Sequence, residues 1–318
     1  MDPTLSEAYR LCRSIAAEHG KTYFLATRLL PAERRPAVHA LYAFARMVDD
    51  IIDVDMIADR DDPDAVADGT TALWSIEEAL LAGLDHRTAS VDLGSKERSL
   101  VLAALLDTAT RYDIPTEYFT AFMTSMQMDV PTSPLYRSRY ADMDELRTYM
   151  YGSAAVIGLQ MLPVLGTVVD VEEARPSAAA LGEAFQLTNF VRDVGEDLDR
   201  DRIYLPADDL AAFGVDEDLL RWSRQTGRTD QRIVRALAHT VALTRALYRS
   251  AQPGIGMLEP RARAGIGVAF ALYGEILDAV ENDGFTALTT RSHVPNRRRL
   301  AVATSAATRG VRTRLVQR

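Results

Sequence analysis

The chain has 318 residues, 47% of them apolar, which is enough for a substantial core and too many for a disordered protein. Its 36 basic and 45 acidic residues leave a net charge of −9, so nothing in the bulk charge supports a nucleic-acid partner. Cys12 is the only cysteine and the five histidines form no His-x-x-x-His pair, which rules out an intrachain disulfide or a cysteine zinc site and suits a reducing cytoplasm.

Apolar residues recur at helical spacing almost throughout, and β-branched alternation is scarce. No charged-then-apolar leader is expected. A first helix is predicted over 4–18, with Leu5, Ala8, Leu11, Cys12 and Ile15 on one face. Pro31 opens a second, from 32 to about 54, because proline is tolerated in a first turn. The Asp-rich stretch 55–68 is expected as an exposed loop. Further helices are predicted over 71–83, 96–111, 116–128, 142–168 and 172–199, then, beyond Pro206, near 216–223, 230–250, 261–281 and 297–307. The breaks are short and no repeat or long linker divides the chain, so a single all-α domain over 1–318 is expected.

Two stretches bear on membranes. Residues 150–169 carry no charge and are long enough to cross a bilayer. They also hold Gly152, Gly158, Gln160, Pro163 and Gly166, and read as a buried helix of a soluble bundle, with no transmembrane segment expected. Arginines 297, 298, 299, 309, 312, 314 and 318 gather near the C-terminus and suit either a solvated helix face or peripheral contact with an anionic membrane.

The chemistry is concentrated in two acidic motifs. In Asp49-Asp50-Ile51-Ile52-Asp53, Asp49 and Asp53 are four apart and share a helix face, where like charges gain from a bound cation. In Asn189-Phe190-Val191-Arg192-Asp193-Val194-Gly195-Glu196-Asp197, Asp193 and Asp197 repeat that spacing and Asn189 adds an oxygen one turn earlier. Magnesium takes hard oxygen ligands and bridges carboxylates to phosphates, so two such helices across a bundle would hold a diphosphate through Mg²⁺ (or Mn²⁺). Arg46, Arg192 and Arg202 lie close in sequence, and arginine forks match diphosphate oxygens. Lys21, beside Thr22, is one of only two lysines and suits a point charge at a phosphate; drift explains it almost as well.

The order of these residues resembles the squalene and phytoene synthase family. Tyr149-Met150-Tyr151-Gly152-Ser153-Ala154-Ala155-Val156-Ile157-Gly158 is similar to its first signature. Leu181-Gly182 through Gln186, Asn189, Arg192-Asp193, Asp197, Arg202 and Tyr204-Leu205-Pro206 is similar to its second. The opening from Gly20-Lys21-Thr22-Tyr23-Phe24-Leu25 to Asp53 and the late Tyr273-Gly274-Glu275-Ile276-Leu277 also match in order.

The resemblance implies an isoprenoid-synthase-type helical bundle with a central cavity. It implies metal on Asp49, Asp53, Asn189, Asp193 and Asp197, and substrate contacts from Lys21, Thr22, Arg46, Gln186, Asn189, Arg192 and Arg202. The four aspartates and Tyr42, Tyr149 and Tyr273 are then catalytic, the tyrosines through their ring faces, although a buried tyrosine also serves as core. Two isoprenoid diphosphates would condense head to head through a cyclopropyl diphosphate. Gly254-Ile255-Gly256 and Gly265-Ile266-Gly267 do not complete a dinucleotide fingerprint, and no NADPH is expected. Ala26 and Thr27 after Leu25 suggest a deep pocket and a C20 substrate giving phytoene. The alternatives are a C15-using squalene or dehydrosqualene synthase, an enzyme stopping at a cyclopropyl or hydroxylated intermediate, or a non-catalytic assembly factor.

Overall fold

The computed structural model describes residues 3–53, 63–88, 92–295, 297–302 and 304–305. The helices in chain order are α1 (Pro3–His19), α2 (Lys21–Thr27), α3 (Arg35–Asp50), α4 (Pro63–His86), α5 (Lys96–Tyr112), α6 (Thr116–Gln127) and α7 (Met143–Met150). After a π-type turn over Tyr151–Ala155 come α8 (Val156–Leu165), α9 (Val171–Asp199), α10 (Ala207–Ala212), α11 (Glu217–Thr226), α12 (Gln231–Met257) and α13 (Pro260–Asn282). Among the described residues the only strand-like pairings are two isolated bridges, Arg139 with Ile203 and Thr167 with Leu258.

Local chemistry sets the helix ends. Asp142 caps α7 by accepting from the amides of Asp144 and Glu145, and Glu145 reaches back to the amide of Ala141. Asp170, Asp216 and Asp230 cap α9, α11 and α12 in the same way. Gly166, at φ +70, ends α8 with a backbone turn that other residues rarely adopt.

Several boundaries differ from expectation. The second helix starts at Arg35, not residue 32, because 32–34 form turns and Pro36 occupies the first helical turn. Its α-helical geometry ends at Asp50 and widens into a π-type turn over 51–53. The loop expected up to residue 68 is already helical from Pro63, a proline start with Asp64 in the first turn; 54–62 lie outside the described residues. The short α2 and α10 carry too few residues to show a period. Helical geometry also covers 297–302; Arg309, Arg312, Arg314 and Arg318 lie outside the described residues.

Two apolar cores organise the chain. One joins α1, α3, α5, α6 and α8, with Val38, Phe44, Leu105, Phe119 and Val164 at its centre. The other joins α7, the second half of α9, α12 and α13, around Leu146, Val191, Leu237 and Leu277. The apolar run Met143–Leu165 is long enough to cross a bilayer by composition, yet 67% of its window is buried inside the bundle. It packs on α6 and α9.

Close approach there depends on glycine. A Cβ on Gly152 would lie 2.1 Å from the carbonyl oxygen of Ala121, and one on Gly182 would lie 2.2 Å from that of Ala154. A backbone atom cannot swing aside as a side chain can. We expect Gly152→Ala to push α6 away and lower unfolding free energy by about 1–3 kcal/mol, as overpacking generally does. A denaturant titration checks this, and an unchanged midpoint would show that the helices can separate freely.

Candidate active site between two helix ends

Asp49 lies in the last turn of α3, where Val48, Ile51 and Ile52 are buried in the first core. That packing turns Asp49 and Asp53 to the opposite face. On α9, Phe190, Val191, Val194 and Leu198 are buried in the second core and turn Asn189, Asp193 and Asp197 outward. All five line one cavity of about 390 Å³ together with Gln186, Tyr149, Arg46, Arg192 and Arg202. Helical spacing on two separate cores thus brings both acidic motifs onto shared space.

The carboxylates are held by arginines. Asp53 accepts from Arg202 at 3.0 Å and Arg200 at 3.1 Å. Asp193 accepts from Arg192 at 2.7 Å and from Arg291 at 2.9 Å, and Arg291 also reaches Glu196 at 3.1 Å. Arg46 forks onto Asp50, its i+4 neighbour, rather than onto Asp49. Asp49 opens on the cavity but is enclosed by the bundle; that enclosure raises its pKa to about 7, with the charge of Asp53 adding to it. Burial, then Asp193 and Asp53, lifts Asp197 to about 8, against the pull of Arg202 and Arg200.

Sequence reasoning missed the residue behind this array. Asp129, buried after α6, accepts from the hydroxyls of Tyr149 at 2.7 Å and Tyr204 at 3.0 Å. The Arg202 guanidinium donates to its backbone carbonyl at 3.0 Å and lies 3.7 Å from its carboxylate. Burial raises the Asp129 pKa, and Arg202 and the two phenols pull it back. Tyr204 stacks on Phe190 at 4.2 Å, so the carboxylate and its donors are fixed from several sides. A lone aspartate in Met128-Asp129-Val130 carries no periodic signal, and Arg291 is distant in sequence from Asp193 on an irregular segment.

Beside the charged cavity lies an apolar pocket of about 130 Å³, lined among others by Tyr23, Gly158, Leu162, Ala178, Leu181 and Phe185. Tyr42 stacks on Tyr23 at 4.9 Å and Tyr273 on Phe185 at 4.1 Å. Neither Tyr42 nor Tyr273 lines either space; each stacks on a ring that lines the apolar pocket, and Arg46 and Asp49 act on Tyr42, Arg192 and Asp193 on Tyr273. Burial raises the pKa of Tyr42 to about 12 and that of Tyr149 well above the usual phenol value, so both remain protonated near neutrality.

Other expected residues fall elsewhere. Lys21 is exposed at the start of α2 and lines neither space; the side chain of Thr22 lies outside the described residues. Ala26 is buried against α13, and Thr27 is hydrogen-bonded near His39. Neither lines the apolar pocket, so the inference of pocket depth from these two small residues is corrected.

The donor set fits a divalent cation shared with a ligand. Among the described residues no three of His, Cys, Asp and Glu converge into a protein-only cage. Magnesium needs none, since it usually keeps waters and takes one or two carboxylates plus substrate phosphates. The Oδ1 of Asn189 is buried without a partner, as an oxygen reserved for a cation or ligand would be.

Known proteins resemble this chain in sequence and in fold. The sequence profile of the squalene/phytoene synthase family matches residues 16–298. The chain is 34% identical to phytoene synthase of Arthrospira platensis over 305 residues, covering 92% of this chain and 90% of that one. It is 32% identical to 15-cis-phytoene synthase of Synechocystis over 309 residues, covering 93% and 83%. A dehydrosqualene synthase crystal structure superposes with a TM-score of 0.79 at 24% identity, covering 96% of each chain, and so shares the fold.

Two outcomes are expected of the site's electrostatics. Asp129→Ala leaves the buried Tyr149 and Tyr204 hydroxyls without their acceptor, while Arg202 keeps Asp53, and should lower stability by about 1–3 kcal/mol in a denaturant titration. A loss under about 1 kcal/mol would mean that the two hydroxyls find another acceptor. The second concerns pH. A carboxyl raised from 3.8 to about 8 keeps in the fold a proton that the unfolded chain has lost. Stability of the metal-free protein therefore falls as pH rises through that window. In chelator, Asp197→Asn should flatten this decline in melting temperature between about pH 6 and 8.5. An unchanged slope would show that Asp197 is ionised throughout.

Proposed function

This chain belongs to the squalene/phytoene synthase family, and we propose that it joins two geranylgeranyl diphosphates head to head to form phytoene. The observation that carries this reading is the pair of carboxylate-bearing helix ends facing one cavity, with an apolar pocket alongside. Phytoene synthases at 32–34% identity over most of the chain support the C20 substrate over a C15 one. The protein is then a prenyl transferase, working as one domain. A cytoplasmic location, with peripheral contact at the membrane that receives the hydrocarbon, suits its product.

Asp49, Asp53, Asp193 and Asp197, with Asn189, are the residues that would hold Mg²⁺ or Mn²⁺. When bound, the ion supplies Lewis acidity for departure of the diphosphate. The chain's own groups do the rest. Arg46, Arg192, Arg200, Arg202 and Arg291 ring the cavity with fixed positive charge for diphosphate oxygens. As the donor's carbon–oxygen bond breaks, an allylic cation remains, and the aromatic pairs Tyr23–Tyr42 and Phe185–Tyr273, whose Tyr23 and Phe185 line the apolar pocket, offer it ring faces. The double bond of the second substrate attacks, and loss of a proton closes a cyclopropyl diphosphate. Loss of the second diphosphate, rearrangement and loss of another proton give the hydrocarbon without a reductant. Leu162, Leu181 and Phe185 hold the prenyl chain away from water, which would quench either cation to an alcohol. Tyr149 is tethered to Asp129 and gives the cavity a fixed aromatic wall.

Purified protein with Mg²⁺ and geranylgeranyl diphosphate, without NADPH, should release a C40 hydrocarbon, and Asp193→Asn should slow turnover roughly a hundredfold or more. A C30 product from farnesyl diphosphate alone would move the enzyme to the squalene or dehydrosqualene branch. Full biological activity in Asp193→Asn would instead indicate a non-catalytic role.

A further inference from the structure

A second opening lies at the other end of α3, and the reaction above makes no use of it. It is a cleft of about 420 Å³ lined by Arg13, Phe24, Thr27, Arg28, Arg35 and His39. Arg35 and Asp49 are separated by about 21 Å along the helix, at about 1.5 Å per residue, so the cleft is remote from the aspartates.

Its charge is one-sided. No carboxylate lines it, and among the described residues none of the three guanidiniums forms an ion pair. Elsewhere Arg139, Arg192, Arg202 and Arg245 each hold an acidic partner. The first turn of α3 contains no acidic residue, as is also true of α1, α2, α8, α12 and α13. The positive end of the α3 dipole is therefore left uncompensated and adds to the arginines.

The cleft is also built. The Arg13 guanidinium lies over the ring of Phe24, 5.7 Å from its centroid, and that ring stacks on His39 at 5.4 Å. Thr27 donates its hydroxyl to the carbonyl of Phe24 at 2.8 Å, so its oxygen accepts from Nε2 of His39 at 3.2 Å. Arg35 is fixed through Nε to the carbonyl of Leu30 at 2.9 Å, which leaves its two terminal nitrogens uncommitted. Burial, with Arg13 and Arg35 beside it, pushes the pKa of His39 down to about 4. The imidazole is neutral, and the site already repels another positive charge.

We propose that this cleft binds a phosphate-type anion, either free phosphate or diphosphate or the headgroup of an anionic lipid. Guanidinium forks and a helix N-terminus are what such oxygens require. Leu29, 37% exposed beside Arg28, separates the two sources, because only a lipid layer gives its side chain an apolar medium.

The test uses the intact protein in chelator, so that no metal can draw diphosphate to the aspartates. The imidazole resonances of His39 are followed by NMR as inorganic diphosphate is added. In parallel, the protein is sedimented with phosphatidylcholine vesicles with and without phosphatidylglycerol. We expect at least one ligand to bind, and Arg13→Glu with Arg28→Glu to weaken that binding roughly tenfold or more. Arg235→Glu with Arg249→Glu on α12, matched in charge, should change it by no more than about twofold. Movement of His39 with diphosphate identifies the soluble anion. Retention only on phosphatidylglycerol vesicles, weakened by Leu29→Ser, identifies the lipid. If neither ligand binds, or if the α12 control loses as much as the cleft variant, the assignment is overturned. No turnover is involved, so the outcome is independent of the proposed reaction.

Discussion

Four carboxylates stand at the ends of two helices, around one cavity, where helix dipole, burial and mutual repulsion all oppose them. Asp49 is in the last turn of α3, and Asp197 in that of α9, where the helix dipole is negative. Each has a like charge one turn away or across the cavity, and the bundle strips water from them. Such an array persists only because two independent cores hold the helix ends. Val48, Ile51 and Ile52 anchor one side; Val191, Val194 and Leu198 anchor the other. Arginine neutralises part of the charge, and the cation and diphosphate of the proposed reaction would complete the balance.

The same helix that carries the second motif would also order the proposed substrate. Along α9, Ser177, Ala178, Leu181, Gly182 and Phe185 line the apolar pocket; Gln186, Asn189, Asp193 and Asp197 then line the charged cavity. An amphiphile with a prenyl tail and a diphosphate head can lie along this gradient in one direction only. Gly158 and Gly182 serve both packing and pocket. Each receives a backbone carbonyl where a Cβ would stand, at 2.2 Å, and each leaves open volume on the pocket side.

Periodicity made the helices legible because each buries one stripe, as on α1 with Ala8, Cys12 and Ala16. It could not resolve α2 or α10, which are too short, or the π-type turn at Tyr151–Ala155, which shares the composition of the helices around it. The acidic pairs were legible because helical spacing is local. Asp129, Arg200 and Arg291 were not, since what marks them is proximity to groups remote in sequence: Tyr204, Asp53 and Asp193 respectively. Tyr204 stood within the second signature, but its hydrogen bond to Asp129 exists only in the fold. Lys21 shows the converse. It is scarce by type and sits in a matching segment, yet α2 directs it to solvent while its neighbour Gly20 takes the packing role, with a Cβ there meeting the ring of Tyr42 at 2.8 Å.

α3 joins the two electrostatic regimes of the molecule. Its C-terminal end presents Asp49 and Asp50 against the negative pole of its dipole, and its N-terminal end presents Arg35 against the positive pole. Some helices place acidic side chains in the first turn and relieve the dipole, as α7 does with Asp144 and Glu145. A helix that runs against both preferences gives up roughly 0.3–1 kcal/mol at each end. The apolar face of α3, with Val38, Leu41, Phe44 and Val48 buried, supplies several times that amount at about 1.5–3 kcal/mol per large side chain. Core packing thus lets one helix hold unbalanced charge of opposite sign at its two ends, each available to a counter-ion from outside.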